Sequence, residues 1–213
     1  MKLKHRPCFI TFEGGEGSGK TTLIKKIGEA LTKEGLDILS TRAPGATPLG
    51  EKLRHLLLKN TTVQVGPRAE LLLFLADRAQ HVDEVIIPAL QAGKVVLCDR
   101  YNDSTVAYQA GARGFDRNWV IELTEFASHS LRPNLTLYLD VDPEVGLARK
   151  SEKSGDKIQK SEIEFHQKVR SSFLEIAQKD PSRFIIIDAS LPKEKVLEIA
   201  QEKVYELFAA SAR

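Results

Sequence analysis

The chain has 213 residues, of which 42% are hydrophobic and 28% are charged. Its 31 basic and 29 acidic residues leave a formal net charge of +2, which gives no reason to expect binding to nucleic acid or to an acidic membrane. No apolar run approaches the ~18 residues of a membrane span, and no Pro/Ser-rich linker divides the chain. We therefore predict one domain over residues 1–213 that binds neither nucleic acid nor a membrane.

The chain begins with a predicted strand, a glycine-rich loop and a helix. The apolar run Cys8–Phe12 predicts a buried strand, and apolar residues between 23 and 31 follow a helical period. The loop between them matches G-x-x-x-x-G-K-[ST], a pattern whose backbone N–H groups and helix N-terminus surround a polyphosphate. We predict that a nucleoside triphosphate binds to Gly14, Gly15, Glu16, Gly17, Ser18, Gly19, Lys20, Thr21 and Thr22.

Two of these residues have specific chemistry in such a loop. The lysine, here Lys20, reaches the β- and γ-phosphates, and the hydroxyl of Thr21 binds Mg²⁺. A chance glycine-rich turn before a helix is the alternative interpretation. The correct order of strand, loop, lysine, threonine and helix argues against it.

The next elements alternate between strand and helix. Ile38–Thr41 is the second predicted strand, and a Pro/Gly loop over 43–48 leads into a helix that ends at about Leu58. Pro67 is placed to open a long helix over Arg68–Ala92, with Gly93 after its end. Near that end, Pro88 is expected to kink or interrupt the helix.

Three further strands are predicted in the second half, with helices between them and a last amphipathic helix around 197–207. These strands are Val95–Asp99, Leu135–Asp140 and Phe184–Asp188. Apolar, β-branched strands separated by helices indicate a five-stranded parallel sheet with helices on both faces, in an α/β, three-layer fold. In such folds the site lies at the carboxyl ends of the strands.

Charged residues collect at those predicted strand ends. Glu13 follows the first strand, Arg42 the second, and Asp99 and Arg100 the third, as expected beside phosphates and Mg²⁺. The fourth strand ends at Asp140 and is soon followed by Asp142, for which helix capping before Pro143 is an equally good interpretation.

The two cysteines give no sign of redox chemistry. If their strands are parallel neighbours, Cys8 and Cys98 lie at different heights, about 10 Å apart, too far for a disulfide. We expect buried, reduced thiols in a cytoplasmic protein.

Several motifs in order carry a family resemblance. They are Gly14–Thr22, Thr41–Gly45 (Thr-Arg-Ala-Pro-Gly), Leu72–Arg78, Asp99–Gln109, Gly111–Gly114 and Arg132–Asp140. Together these motifs resemble the bacterial branch of the thymidylate kinase family over nearly the whole chain. The resemblance implies a P-loop kinase fold, a homodimer, and Mg²⁺-dependent phosphorylation of dTMP by ATP to dTDP, in dTTP biosynthesis.

The resemblance also assigns roles to individual residues. It implies catalytic roles for Lys20, Arg100, Asp99, Arg149 and Lys157, and Mg²⁺ binding by Thr21, Asp99 and Glu13. The implied contacts with dTMP are Glu13, Arg42, Pro44, Arg54, Phe74, Arg78, Arg100, Ser104, Tyr108 and Gln109. Phe74 would stack on thymine, although its spacing alone favours core packing, and a solvated helix face explains Arg54 equally well.

The polar segment at about 149–161 is interpreted as a mobile lid over ATP. Glu16 cannot supply positive charge from within the phosphate loop, so cations are expected from Arg149 and Lys157. The family pattern has arginine where this chain has Lys157, and only arginine offers two aligned donors to a phosphate. The pattern also has glutamate and glycine where this chain has Ala43 and Ala46. We expect altered affinity from these departures.

Two other functions remain open on sequence alone. A deoxynucleoside kinase would share the phosphate loop but would phosphorylate a nucleoside and would not need Arg42. A regulatory GTPase would need an Asn/Thr-Lys-x-Asp motif, which the sequence lacks.

Overall fold

A computed structural model describes residues 7–58, 63–154 and 160–211. Its sheet has five strands in the order β2-β3-β1-β4-β5, and all of them pair in parallel. The strands are β1 (Cys8–Gly14), β2 (Ile38–Arg42), β3 (Val95–Asp99), β4 (Leu135–Asp140) and β5 (Phe184–Asp188). The predicted sheet is confirmed, and β1 continues two residues beyond its predicted end because Glu13 and Gly14 pair with β4.

Nine α-helices lie within the described ranges, and none of them is long and apolar enough to span a membrane. They are α1 (Lys20–Lys33), α2 (Pro48–Leu58), α3 (Pro67–His81), α4 (Ile87–Gln91), α5 (Asn102–Thr105), α6 (Arg117–Ala127), α7 (Pro143–Ser154), α8 (Lys160–Lys179) and α9 (Lys193–Ser211).

The helices cover both faces of the sheet because side chains alternate along each strand. On one face, Ile10 and Phe12 of β1 are buried in a cluster with α1 and α9. On the other face, Tyr138 of β4 stacks on Phe173 of α8 with ring centroids 4.8 Å apart, in a cluster shared with α3 and α6. The predicted three-layer arrangement is therefore confirmed.

The long helix predicted over Arg68–Ala92 is present as α3, a π-helical turn and α4, and the interruption expected near Pro88 is confirmed as that widened turn. A π-helical turn, Val82–Ile86, separates α3 from α4, and Pro88 lies in the first turn of α4. Proline has no N–H to donate and its ring crowds the carbonyl four residues earlier. The helix widens just before Pro88 and so continues without a break, which keeps Val82 and Ile86 buried against β3.

The short helix α5 is fixed to the sheet by a buried polar network. Arg183, directly before β5, donates to both carboxylate oxygens of Asp103 in α5, at 2.8 and 3.1 Å. Arg183 also donates to Thr136 Oγ1 of β4, whose partner is Thr11 Oγ1 of β1 at 2.7 Å. Neither partner of the ion pair is more than 16% exposed. The position of α5 above the end of β1 depends on this pair.

We expect Asp103→Ala to lower the free energy of unfolding by roughly 3 kcal/mol, because it leaves the Arg183 guanidinium poorly compensated in a buried place. Urea denaturation measures this. The matched control is Glu51→Ala, which removes the partner of Arg42 in an ion pair with 53% and 57% exposed side chains. That loss should stay within about 1 kcal/mol. Equal losses for the two variants would contradict the network's anchoring role.

Candidate active site

One cleft opens at the carboxyl edge of the sheet, lined by the phosphate loop and by residues that follow β2 and β3. Its volume is about 2340 Å³. A single small ligand occupies roughly 300–1,000 Å³, so there is room for two. The loop enters the cleft between β1 and α1, and α1 begins at Lys20, as the motif predicts.

Lys20 lies at the centre of the loop and is buried there. Its ammonium group donates to the carbonyl oxygens of Gly14 and Gly15 at 3.1 and 3.0 Å. Burial, followed by the charge of Arg100, lowers the pKa of Lys20 to about 8. An anion bound beside Lys20 would raise this pKa again, because a negative charge stabilises the charged ammonium.

A divalent cation fits between α1 and the end of β3. The Thr21 hydroxyl donates to Asp99 Oδ2 at 3.3 Å, while Asp99 Oδ1 is buried and has no hydrogen-bond partner in the described part of the chain. Among the described residues, no group of three or more His, Cys, Asp or Glu could hold a metal alone. One hydroxyl and one carboxylate, completed by phosphate oxygens and water, are the donor set that Mg²⁺ prefers.

Arg100 follows β3 in a conformation that favours glycine, with φ 69°. Positive φ is uncommon for other residues and occurs at functional sites. The guanidinium donates to Glu16 Oε1 of the phosphate loop at 3.2 Å and to Ser104 Oγ at 3.3 Å. It also lies 5.2 Å from the centre of the Tyr108 ring. The backbone thus places a cation between the phosphate loop and the rest of the cleft.

Glu13 lies beneath this group and is fully buried. Its oxygens accept hydrogen bonds from the Tyr101 backbone N–H at 2.7 Å and the Ser104 hydroxyl at 2.5 Å. Burial, followed by Asp103, raises the pKa of Glu13 to about 7. Both oxygens are engaged and the side chain does not line the cleft, so this geometry favours a role in holding α5 over direct metal binding.

The far end of the cleft contains Arg78 and Phe74, one turn apart on α3. Arg78 is 5% exposed, and its Nε and Nη1 atoms have no hydrogen-bond partner among the described residues. Its guanidinium packs 4.3 Å from the centre of the Tyr101 ring. Phe74 is half-buried and lines the cleft, so packing in the core does not account for it. An unpaired buried guanidinium is costly and points to a polar ligand.

The loop after β2 is fixed over α3 by a residue that the sequence analysis did not assign. Asp77, 1% exposed, accepts the Gly45 backbone N–H at 2.9 Å, and burial raises the pKa of its carboxyl. Arg54 donates to the Pro44 carbonyl at 2.7 Å, so it is not merely a solvated residue. Arg42 pairs with Glu51 at 2.7 Å on the exposed rim. The sequence does contain a signal for Asp77, because this residue lies within the family motif Leu72–Arg78.

Two more residues join the site beside Gln109. Glu70 accepts the side-chain amide of Gln109 at 3.1 Å and is also paired with Arg113 at 3.0 Å. Tyr108 lies in the π-helical turn Val106–Ala112 and lines the cleft. Its hydroxyl is buried and has no hydrogen-bond partner within the described ranges, and burial raises its pKa. Glu70 and Arg113 were missed because their pairing joins positions 43 residues apart.

The acidic pair after β4 does not line the cleft. The two carboxylate oxygens of Asp140 accept hydrogen bonds from the Arg170 guanidinium at 2.8 and 2.9 Å. Asp142 accepts the backbone N–H of Glu144, in the first turn of α7, at 2.9 Å. Of the two interpretations left open for these carboxylates, a position beside phosphates is therefore wrong for both. Capping explains Asp142, and pairing with Arg170 explains Asp140.

The predicted lid is described only in part. Helix α7 continues to Ser154 and α8 begins at Lys160, so the polar segment is more helical than expected. Arg149 lines the cleft and donates to the Ala189 carbonyl at 3.3 Å. Lys157 lies outside the described residues.

Comparison with known proteins agrees with this arrangement. The thymidylate kinase family model matches residues 12–199. The thymidylate kinase of Protochlamydia amoebophila is 48% identical, covering 98% of this chain and 96% of its own, and that of Synechococcus sp. (strain JA-3-3Ab) is 50% identical over 85% and 87%. A crystal structure of thymidylate kinase from Ehrlichia chaffeensis superposes with TM-score 0.73 at 34% identity, covering 92% and 98% of the two chains. The chain therefore belongs to the thymidylate kinase family.

Proposed function

We infer that the chain transfers the γ-phosphoryl group of ATP to dTMP, giving dTDP and ADP, and so serves thymidine nucleotide synthesis. The observation that carries this function is one cleft with the phosphate loop at one end and Arg78 at the other, buried and with no partner for its Nε and Nη1 among the described residues. A phosphate oxygen of dTMP attacks the γ-phosphorus, and the bond to the β,γ-bridging oxygen breaks as ADP leaves. Family membership and the space for two nucleotides both support the assignment.

At the donor end, Lys20 and the loop N–H groups would bind the β- and γ-phosphates. Lys20 would exchange its carbonyl partners for phosphate oxygens, which restores the charged form that burial disfavours. Thr21 and Asp99 would hold Mg²⁺, which neutralises phosphate charge as it develops. Arg100, between Glu16 and Ser104, would bridge the two substrates' phosphates.

At the acceptor end, Phe74 would stack on the thymine ring and Arg78 would donate to its carbonyl edge. The Glu70 carboxylate takes the Nε2 donor of Gln109, which leaves the amide oxygen for the base. Tyr108 would occupy the space that a 2′-hydroxyl needs. Arg42, Pro44 and Arg54 would surround the acceptor phosphate.

The segment at about 149–161 is proposed as the lid over ATP, with the whole chain forming one domain. Arg149 supports this, because its side chain already reaches the cleft. The role of Lys157 rests on the resemblance alone. We also propose a cytoplasmic location, which the two buried free thiols, Cys8 and Cys98, support.

A coupled ADP-release assay with dTMP, dUMP, dGMP and thymidine tests the function. We expect dTMP to be the preferred acceptor, and a preference for thymidine would instead support a deoxynucleoside kinase. The control variant Lys20→Ala should keep its fold and lose ~10²–10³ or more in turnover, since it loses charge stabilisation of the transition state. Normal turnover by Lys20→Ala would contradict the assignment.

Arg78→Met should raise KM for dTMP by roughly 10- to 100-fold and leave KM for ATP within about twofold, because it removes charged hydrogen bonds to one substrate only. The unliganded variant should unfold at the same or a higher temperature, since an uncompensated buried charge is replaced by an apolar group. Steady-state kinetics and thermal melts measure both effects. A loss of stability with unchanged KM would assign Arg78 to the structure alone.

A homodimer is proposed from the surface of α3 and α6, two helices that pack on each other. Exposed large apolar side chains occur on both, with Phe126 86%, Leu72 58% and Trp119 45% exposed. Apolar side chains of this size on adjoining helices are typical of an interface between subunits. A second copy of the chain would cover them.

Phe126→Asp should convert the dimer to a monomer, because it places a charge in the apolar centre of the interface. Light scattering coupled to size-exclusion chromatography measures the mass. The matched control is Ile186→Asp, which changes another exposed apolar residue, 46% exposed, on edge strand β5. A wild-type protein that is monomeric at micromolar concentration, or a dimeric Phe126→Asp, would exclude this interface.

A further inference from the structure

The phosphate loop rests directly on the backbone of α7, at a pair of glycines 129 positions apart. A Cβ atom on Gly146 would lie 2.3 Å from the carbonyl oxygen of Glu16, and one on Gly17 would lie 2.0 Å from the carbonyl oxygen of Gly146. Real Cβ contacts are never that short, so neither position accepts a side chain without movement. Gly17 also has φ 64°, in the left-handed region.

This contact determines which way one peptide of the loop faces. The Glu16 carbonyl is directed out of the loop, toward Gly146. In a trans peptide the N–H of the next residue points opposite to the carbonyl. The Gly17 N–H is thereby directed into the loop, where the phosphates bind.

Contacts of its first turn and of Arg170 hold helix α7 behind the loop. Asp142 caps its first turn and its backbone carbonyl accepts the Gly146 N–H at 2.9 Å. Arg170 pairs with Asp142 at 3.3 Å and with Asp140 at the end of β4. The carboxylates that do not line the cleft thus hold α7 behind the loop.

The same helix also reaches the cleft. Arg149 lies three residues after Gly146, on the same side of α7, and lines the cleft. A change in the spacing at Gly146 would move Arg149 as well as the loop.

We propose that Gly146 is a positioning residue for ATP: by admitting the Glu16 carbonyl, it holds the Gly17 N–H toward the phosphates. This inference rests on the proposed function only in naming ATP as the ligand. It concerns the end of the cleft where ATP binds, and it predicts no change in the binding of dTMP at the other end. Gly146 itself does not line the cleft.

The test is Gly146→Ala, with ATP, ADP and dTMP binding measured separately by calorimetry. We expect roughly 10- to 100-fold weaker binding of ATP and ADP, since a hydrogen bond to a charged phosphate is weakened, and dTMP binding within about twofold of wild type. Gly66→Ala is the matched control, because Gly66 does not line the cleft and a Cβ there would meet no atom of the described residues within 4 Å. It should bind all three ligands normally.

A second control separates positioning from lost stability. Val204→Ala removes buried methyl groups in α9, away from the cleft, and should lower the melting temperature without changing ATP affinity. Equal weakening of ATP and dTMP by Gly146→Ala, or unchanged ATP binding, would overturn the proposal. Because binding is measured directly, a wild-type protein that fails to phosphorylate dTMP would refute the proposed function and leave this result standing.

If Gly146→Ala does not fold, the wild-type protein still decides the question. Hydrogen exchange of peptides over 142–149 should slow when ADP binds, because a loop held by phosphates also holds α7. Binding of dTMP alone should leave that exchange unchanged. The absence of any ADP effect on 142–149 would overturn the proposal.

Discussion

Positive charge held out of water at the carboxyl edge of the sheet is the constraint on which the rest of the structure depends. Lys20 and Arg78 are no more than 9% exposed, and Arg100 is only 19% exposed at its side chain. Each of these cations would be costly to bury without compensation. The protein supplies only part of that compensation, and phosphates and a nucleobase would supply the remainder.

The acidic residues around the cleft show how the partial compensation is arranged. Glu13 is buried beneath the site, where its pKa is raised to about 7, and it accepts hydrogen bonds from Tyr101 and from Ser104 of α5, whereas Asp77 binds the loop after β2. Over the described ranges, Asp99 Oδ1 is the one buried carboxylate oxygen without a hydrogen-bond partner. Glu13 and Asp77 therefore position the backbone, Glu16 compensates Arg100 in part, and the remaining attraction of the cations is available to anionic ligands.

The sequence predicts the sheet well because local patterns determine it: apolar strands, a complete phosphate loop and proline or glycine at helix ends. Most of the site residues that it predicts line the cleft, since the motifs lie at strand ends. The Arg183–Asp103 pair and the Gly17–Gly146 contact were not predictable. Each depends on which elements pack together, with separations of up to 129 positions, and no local pattern encodes that pairing.

The buried thiol below the cleft offers a way to observe opening of the helical layer that covers β3. Cys98 is 0% exposed and donates to the Arg100 carbonyl at 3.1 Å, and burial raises its pKa far above the usual range. A protonated, inaccessible thiol does not react with alkylating agents. Its core neighbours include Val82, Ile86 and Ala89, so labelling of Cys98 by iodoacetamide requires the π-helical turn and α4 to move away from β3. The rate of that labelling, with and without nucleotide, would report how often this helical layer opens.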